Sequence, residues 1–125
     1  MIENRTLKNV VEMIYKMKSE FLGSQNVNTL LFCQKRREVD AFSVRIRHLN
    51  PTKENNFDGI FQIHSDFRQN DRNRILKMFQ TGNGNNILIC TSAMARGMDL
   101  PMVDLVIHLG SRQHSAEEYV HRIGF

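Results

Sequence analysis

The sequence predicts an α/β fold in which an open, mainly parallel sheet carries helices on both faces. Short continuous apolar runs alternate along the chain with longer amphipathic segments. Strands that are apolar on both sides belong to sheets covered on both faces, and strands that alternate with helices form right-handed crossovers between parallel strands. Ligands of such sheets bind beyond the carboxyl ends of the strands.

The first half of the chain reads as helix, strand, helix. Apolar residues at helical spacing predict a helix over residues 6–22, which ends at Gly23 and Ser24, and the apolar run 29–33 predicts a buried strand. A second amphipathic pattern ends at Asn50-Pro51, because the residue before proline avoids the α region. Residues 51–56 then form a polar loop.

The second half continues the alternation. We expect a strand within residues 57–64, a helix over 69–80 and two further strands at 87–91 and 105–109. A glycine- and asparagine-rich turn over 81–86 ends the helix by C-cap chemistry. A last short helix is expected to begin near Ser115, because Ser115 and Glu118 have the spacing of a capping box.

Composition narrows the class of protein. A chain of 125 residues is typical of one domain, and it lacks both the apolar run of about 20 residues that a membrane span needs and an N-terminal signal pattern. Cys33 and Cys90 are far apart, which favours two buried reduced thiols in an intracellular protein over a zinc site or a disulfide. The net charge of +4 indicates a mild preference for anionic partners.

Polar and basic residues follow four of the predicted elements, where strands should give way to helices. Hydroxyls, backbone N–H groups and arginines at such junctions can hold phosphate, although the same residues also serve as ordinary helix caps or as a solvated surface. Four junctions on one sheet edge favour a binding function. They span residues 33–37, 64–72, 91–101 and 119–124.

These junctions resemble the motifs of the DEAD-box RNA helicases, a branch of superfamily 2. Residues 91–101, with Ala95-Arg96-Gly97-Met98-Asp99, are similar to motif V, and His64-Ser65-Asp66 with Gln69 and Arg72 is similar to the His-Gly-Asp and Gln-x-x-Arg elements. Residues 31–36 resemble motif IV, and Tyr119-Val120-His121-Arg122-Ile123-Gly124 resembles the opening of motif VI. The resemblance implies a second RecA-like domain over residues 1–125, incomplete at both ends.

The resemblance also implies roles for individual residues. Thr91 and Arg72 would contact RNA phosphates, Arg96 would support that site, and Ser65 and Gln34 would add contacts from neighbouring junctions. Asp99 would accept a hydroxyl of the ATP ribose. His121 and Arg122 would face the first RecA-like domain across the ATP cleft, Arg122 also towards the nucleotide. ATP with Mg²⁺ would be held mainly by that first domain, which would belong to the same polypeptide. The protein would be a monomer without a membrane partner, located in the cytoplasm, the nucleus or an organelle.

Three departures from the family pattern bear on activity. Ser65 replaces the usual glycine, and the stretch between Lys35 and His64 is longer than usual, with residues 51–56 as the expected inserted surface loop. Phe125 stands where the family has an arginine, and the sequence contains neither a phosphate-binding loop of the Gly-x-x-x-x-Gly-Lys type nor an Asp-Glu-Ala-Asp element. We therefore expect no ATP hydrolysis by this polypeptide alone.

Three functions stay open at the level of sequence. These are half of an ATP-dependent RNA helicase, a non-catalytic module that binds RNA or helicase partners, and part of a DNA-directed superfamily 2 enzyme. The absence of a phosphate-binding loop from the sequence favours the non-catalytic module. The residues that resemble motifs V and VI favour an RNA-directed protein over a DNA-directed one.

Overall fold

A computed structural model describes residues 4–22, 26–82, 84–91, 103–109 and 118–122 of the chain. The helices are α1 (Asn4–Leu22), α2 (Arg36–Leu49) and α3 (Gln69–Thr81), and a short 3₁₀ helix at Asn50–Thr52 follows α2. The strands are β1 (Thr29–Cys33), β2 (Gly59–Ile63), β3 (Asn86–Thr91), β4 (Leu105–Leu109) and β5 (Glu118–Arg122).

The strands form one sheet in the order β2-β3-β1-β4-β5. The first four strands in this order are parallel, and β5 pairs with β4 in the antiparallel direction. The predicted open parallel sheet is thus confirmed for β1 to β4. All four parallel strands end at the same edge of the sheet, which we call the carboxyl edge.

Helices cover both faces of the sheet, as the unbroken apolar strands predict. On one face, α1 and α2 pack against alternate strand residues, in a core that includes Ile14, Phe42 and Leu31. On the other face, α3 inserts Phe79 against the intervening residues, such as Leu30. Each central strand therefore buries successive side chains on opposite faces, which is why its sequence shows no polar alternation.

The predicted helix ends agree with the structure at α2 and α3. Helix α2 ends at Leu49, and α3 extends one residue beyond the expected 69–80. Asn50, the residue before Pro51, still has α-helical angles (φ −53°, ψ −45°), so the expected reason for the end of α2 is wrong. The C-cap residue of α3, Gly82, has an extended backbone (φ −73°), whereas Gly84 has φ +81°. The left-handed conformation that favours glycine thus occurs at Gly84, within the turn, whereas at Gly82 an added Cβ would lie 2.5 Å from Nδ2 of Asn86.

The prediction of a last helix is wrong for the part of it that the structure describes. Ser115, where it was expected to begin, lies outside the described residues, and Glu118–Arg122 form β5. Pairing with β5 satisfies the backbone N–H and C=O groups along the outer side of β4, which α-helix formation by the same residues would leave exposed.

The loop 51–56 packs closely on α1 instead of being only solvated. The Asn50 side chain joins the two: its oxygen accepts hydrogen bonds from the Tyr15 hydroxyl and the Phe57 N–H, both at 2.8 Å, and its nitrogen donates to the Phe57 carbonyl at 2.9 Å. Lys53 pairs with Glu12 at 2.6 Å. The expected insertion is therefore part of the packed structure. Its contacts offset part of the entropy that is lost when the longer loop closes.

Lys18 of α1 is fully buried beneath this loop. Its Nζ donates to the Asn56 carbonyl at 3.2 Å and lies 5.1 Å from the centre of the Phe57 ring. Burial lowers the pKa of the Lys18 ammonium, while the nearby Asp58 carboxylate opposes that shift.

None of the described helices combines the length and apolar composition that crossing a bilayer requires.

Candidate functional site

The carboxyl edge brings together three of the predicted junctions. Strand β3 lies between β2 and β1, with Thr91 next to Cys33 and Cys90 next to Ile63 in the register. Gln34 and Ser65 therefore follow the two strands that flank Thr91. The arrangement agrees with the expectation that ligands meet a parallel sheet beyond its carboxyl ends.

Thr91 ends β3 at the centre of this edge and is largely buried. Arg96 and Asp99, the other predicted site residues of this junction, lie outside the described residues. Their predicted contacts with RNA and with the ATP ribose stay predictions.

The junction between β1 and α2 is held by Gln34 and Glu38. The side-chain amide of Gln34 donates to the Leu109 carbonyl at the end of β4, at 3.0 Å. One carboxylate oxygen of Glu38 accepts the backbone N–H groups of Gln34 at 2.8 Å and Lys35 at 3.1 Å. Two N–H groups that could have held a phosphate at this helix start are thus already occupied by a carboxylate.

The junction between β2 and α3 forms a tight turn around His64. The Asp66 N–H donates to Nδ1 of His64 at 3.3 Å, and the Phe67 ring stands edge-on to the imidazole with 4.5 Å between centres. Arg72, from the first turns of α3, donates through Nε to the Phe67 carbonyl at 3.1 Å. Arg72 is thereby directed back towards the turn, and Ser65 is exposed at its tip.

Two side-chain contacts connect these two junctions. Arg36 at the start of α2 forms an ion pair with Asp66. Asp40, one turn further along α2, accepts a hydrogen bond from the Gln62 amide at 2.8 Å and lies 3.6 Å from Nε2 of His64. Because β3 separates β1 from β2, the Arg36–Asp66 pair links the loops that follow two strands which are not neighbours in the sheet.

The two junctions that flank Thr91 are closer to neutral than the predicted basic junctions suggested. Residues 34–40 and 64–72 contain five basic side chains and four acidic ones. The basic residues are Lys35, Arg36, Arg37, Arg68 and Arg72, and the acidic residues are Glu38, Asp40, Asp66 and Asp71. Sequence reasoning named Asp66 as part of a family motif but missed Glu38, Asp40 and Asp71 as parts of the site. Of these three, Glu38 had a local signal, since an acidic residue three positions after a helix N-cap is typical of a capping box.

Cys33 and Cys90 are both buried, as the sequence predicts. Burial raises the pKa of the Cys33 thiol, and the Glu38 carboxylate and Cys90 raise it further. Burial also raises the pKa of Cys90 to about 12. Both thiols therefore stay protonated at neutral pH and are poor nucleophiles.

The structure does not bring the fourth junction to this edge. In the antiparallel register, His121 lies beside Val106 and Arg122 beside Leu105, at the amino end of β4. In this arrangement the two residues do not share an edge with Thr91, because β5 runs opposite to the other strands. Their predicted role at the ATP cleft stays a prediction. Among the residues that the structure describes, no group of three or more His, Cys, Asp or Glu side chains is arranged to hold a metal ion.

Comparison with known proteins agrees with this architecture. Residues 7–124 match the model of the helicase conserved C-terminal domain. The chain is 40% identical over 95 residues to the ATP-dependent RNA helicase eIF4A of Kluyveromyces lactis and 36% identical over 95 residues to the ATP-dependent RNA helicase fal1 of Schizosaccharomyces pombe. Each alignment covers 76% of this chain and 22% of the relative.

A solved structure shares the fold. The structure of Mss116p DEAD-box helicase domain 2 bound to an RNA duplex matches with a TM-score of 0.64 and 27% sequence identity, over 83% of this chain and 38% of that one. The resemblance inferred from four ordered motifs is thus confirmed at the level of the family. With a parallel sheet between helices and a family match over nearly its whole length, the chain belongs to the helicase conserved C-terminal domain family and has the fold of the second RecA-like domain.

Proposed function

We propose that this chain is the C-terminal RecA-like module of an ATP-dependent RNA helicase and contributes RNA-backbone binding and one wall of the ATP cleft. The observation that carries the proposal is the register at the carboxyl edge. It places Thr91 between the two junctions that supply Gln34, Ser65 and Arg72. The similar domain in Mss116p is bound to an RNA duplex, which supports RNA as the ligand of this fold.

The chemistry of these groups suits a nucleic-acid backbone. The Thr91 hydroxyl can donate to a phosphate oxygen, and the Arg72 guanidinium can add a charge-assisted hydrogen bond while Nε stays on the Phe67 carbonyl. Ser65 and the remaining acceptor of Gln34 can bond ribose hydroxyls, and Arg96 would reinforce the phosphate contact. Contacts to phosphate and ribose carry no sequence information, so we expect binding with little base preference.

The nucleotide side of the proposal involves Asp99, His121 and Arg122. Asp99 would bind the ATP ribose, and the other two would face the first RecA-like domain in cis. For His121 and Arg122 to reach a cleft at the carboxyl edge, residues 118–122 would have to leave β4 when that domain binds, because their present pairing places them at the amino edge. ATP with Mg²⁺ would be held mainly by the first domain, and we assign no magnesium ligand to this chain.

RNA binding by the chain tests the proposal directly. A labelled single-stranded RNA is titrated with the wild type and with Arg72→Ala and Thr91→Ala, and anisotropy is measured at several salt concentrations. We expect each variant to weaken binding by roughly 5- to 30-fold, in line with the loss of one charge-assisted or hydroxyl contact. Arg72→Ala should also reduce the salt slope by about 0.7.

Arg74→Ala is the matched control, since Arg74 lies in the same helix but pairs with Asp71 at 3.1 Å on its exposed side. We expect less than about a 2-fold change for this variant. Unchanged affinity in both Arg72→Ala and Thr91→Ala would exclude the proposed surface. Equal affinity for the DNA of the same sequence would instead favour a DNA-directed protein, because only RNA offers the 2′-hydroxyl.

Catalysis is tested by supplying a first RecA-like domain. Joined to a matching first RecA-like domain, the chain should show ATP hydrolysis that RNA stimulates, and Arg72→Ala should lower that stimulation. RNA binding without any stimulated hydrolysis by a well-folded fusion would favour a non-catalytic binding module.

A further inference from the structure

The Arg36–Asp66 ion pair crosses the end of β3. Arg36 is three residues beyond β1, and Asp66 is three residues beyond β2. Strands β1 and β2 are two positions apart in the sheet, so their axes are separated by roughly 10 Å. The pair therefore joins the two loops on either side of β3 at the level just beyond Thr91.

The two partners of this ion pair are accessible to solvent. Their side chains are 54% and 58% exposed, so water solvates each charge and neither needs the other to compensate for burial. Ion pairs of this kind are weak in water, because hydration and salt compete with them. A phosphate group bound beside Thr91 can thus replace the Asp66 carboxylate as the partner of Arg36.

The neighbouring carboxylates repeat the same arrangement. Glu38 occupies the N–H groups of Gln34 and Lys35, and Asp40 faces Gln62 and His64. In each case a negative side chain occupies a donor at the edge where the proposed function requires a negative ligand. Asp66 differs from the other two because it occupies a guanidinium, the group with the greatest affinity for phosphate in this set.

We propose that Asp66 lowers the affinity of the carboxyl edge for RNA by holding Arg36 across the end of β3 until a phosphate displaces its carboxylate. This inference rests on the proposed RNA-binding function of the same edge and assigns Asp66 as the residue that tunes it. Displacement exchanges one exposed ion pair for another and forms or breaks no covalent bond. Arg36 becomes an additional phosphate contact, whereas Asp66 returns to water.

The test is a double-mutant cycle on the 125-residue chain, with a short labelled oligouridylate as the probe. Asp66→Asn removes the charge that holds Arg36 and keeps the size of the side chain. We expect this variant to bind RNA roughly 3- to 10-fold more tightly at low salt, with a salt slope about 0.7 steeper because one more phosphate is neutralised. In the Arg36→Gln background, the same substitution should change affinity less than about 2-fold.

The cycle separates release of Arg36 from the general effect of removing a negative charge. Asp71→Asn is the matched control, because Asp71 pairs with Arg74 within α3 and has no contact with Arg36. An equal gain for Asp66→Asn in both backgrounds, or an equal gain for Asp71→Asn, would overturn the inference in favour of simple charge repulsion.

The outcomes also distinguish this inference from the proposed function. If the chain binds RNA through Arg72 but Asp66→Asn does not tighten binding, the inference alone is wrong. If neither the wild type nor Asp66→Asn binds RNA, both the inference and the proposed RNA-binding edge are wrong. Circular dichroism and thermal unfolding of the four variants check that the differences do not come from unfolding.

Discussion

Glu38 should stabilise the start of α2 through a single carboxylate oxygen. This oxygen accepts the N–H groups of Gln34 at 2.8 Å and Lys35 at 3.1 Å, two of the donors that a helix start leaves without an intrahelical partner. In Glu38→Ala both donors lose that acceptor. They are exposed, so water replaces the carboxylate in part and the loss is smaller than it would be for buried groups.

The expected loss follows from these two contacts. Removing a capping side chain from an exposed helix start lowers the free energy of unfolding by about 1–2 kcal/mol. Glu38→Gln keeps an oxygen acceptor and loses only the charge and its interaction with the helix dipole, which contributes about 0.3–1 kcal/mol. We therefore expect the order wild type, Glu38→Gln, Glu38→Ala from most to least stable.

Urea unfolding at neutral pH measures these differences. A loss below about 0.5 kcal/mol in Glu38→Ala would show that the two hydrogen bonds contribute nothing beyond what water supplies. Equal losses in Glu38→Ala and Glu38→Gln would assign the effect to charge instead of to the acceptor. The same variants should bind RNA no more weakly than the wild type, since each removes a negative charge from the proposed RNA edge.

Three further predictions concern stability. Asn50→Ala removes three hydrogen bonds that join the two ends of the 51–56 loop to each other and to Tyr15 of α1, and it should lower the free energy of unfolding by about 2–3 kcal/mol in urea titrations. Asn73→Ala, which removes one exposed contact, should change it by less than about 0.5 kcal/mol. Gly59→Ala places a Cβ 2.6 Å from a side-chain oxygen of β3 and should cost about 1–3 kcal/mol in the same assay; a neutral result would mean that this neighbour moves freely. Above pH 9.0, where exposed thiols ionise, Cys33 and Cys90 stay protonated in the folded chain, so the free energy of unfolding should fall by up to about 1.4 kcal/mol per pH unit for each thiol. The fall should be less steep when both cysteines are replaced by alanine. Identical slopes would show that the two buried thiols do not cause this pH dependence.

The candidate site was predictable where it depends on strand order and not where it depends on side-chain partners. Parallel strands must end at one edge, so polar residues that follow them must meet there, which brought Gln34, Ser65 and Thr91 together. The acidic partners were not predictable in this way. Asp66 and Arg36 follow strands that β3 separates in the sheet, so no local pattern indicates that their side chains meet.

By itself, the sequence determined the family, the four parallel strands and the helices that cover them. These follow from local patterns: apolar runs of strand length, 3.6-residue periodicity and motifs of fixed spacing. Tertiary structure alone decided that the segment 118–122 is a strand. Its capping-box spacing is compatible with a helix, but the unpaired outer side of β4 offers hydrogen bonds that only an extended segment can satisfy. Tertiary structure also decided which donors of the carboxyl edge are occupied, because the folded chain places Asp66 against Arg36 and Asp40 against Gln62.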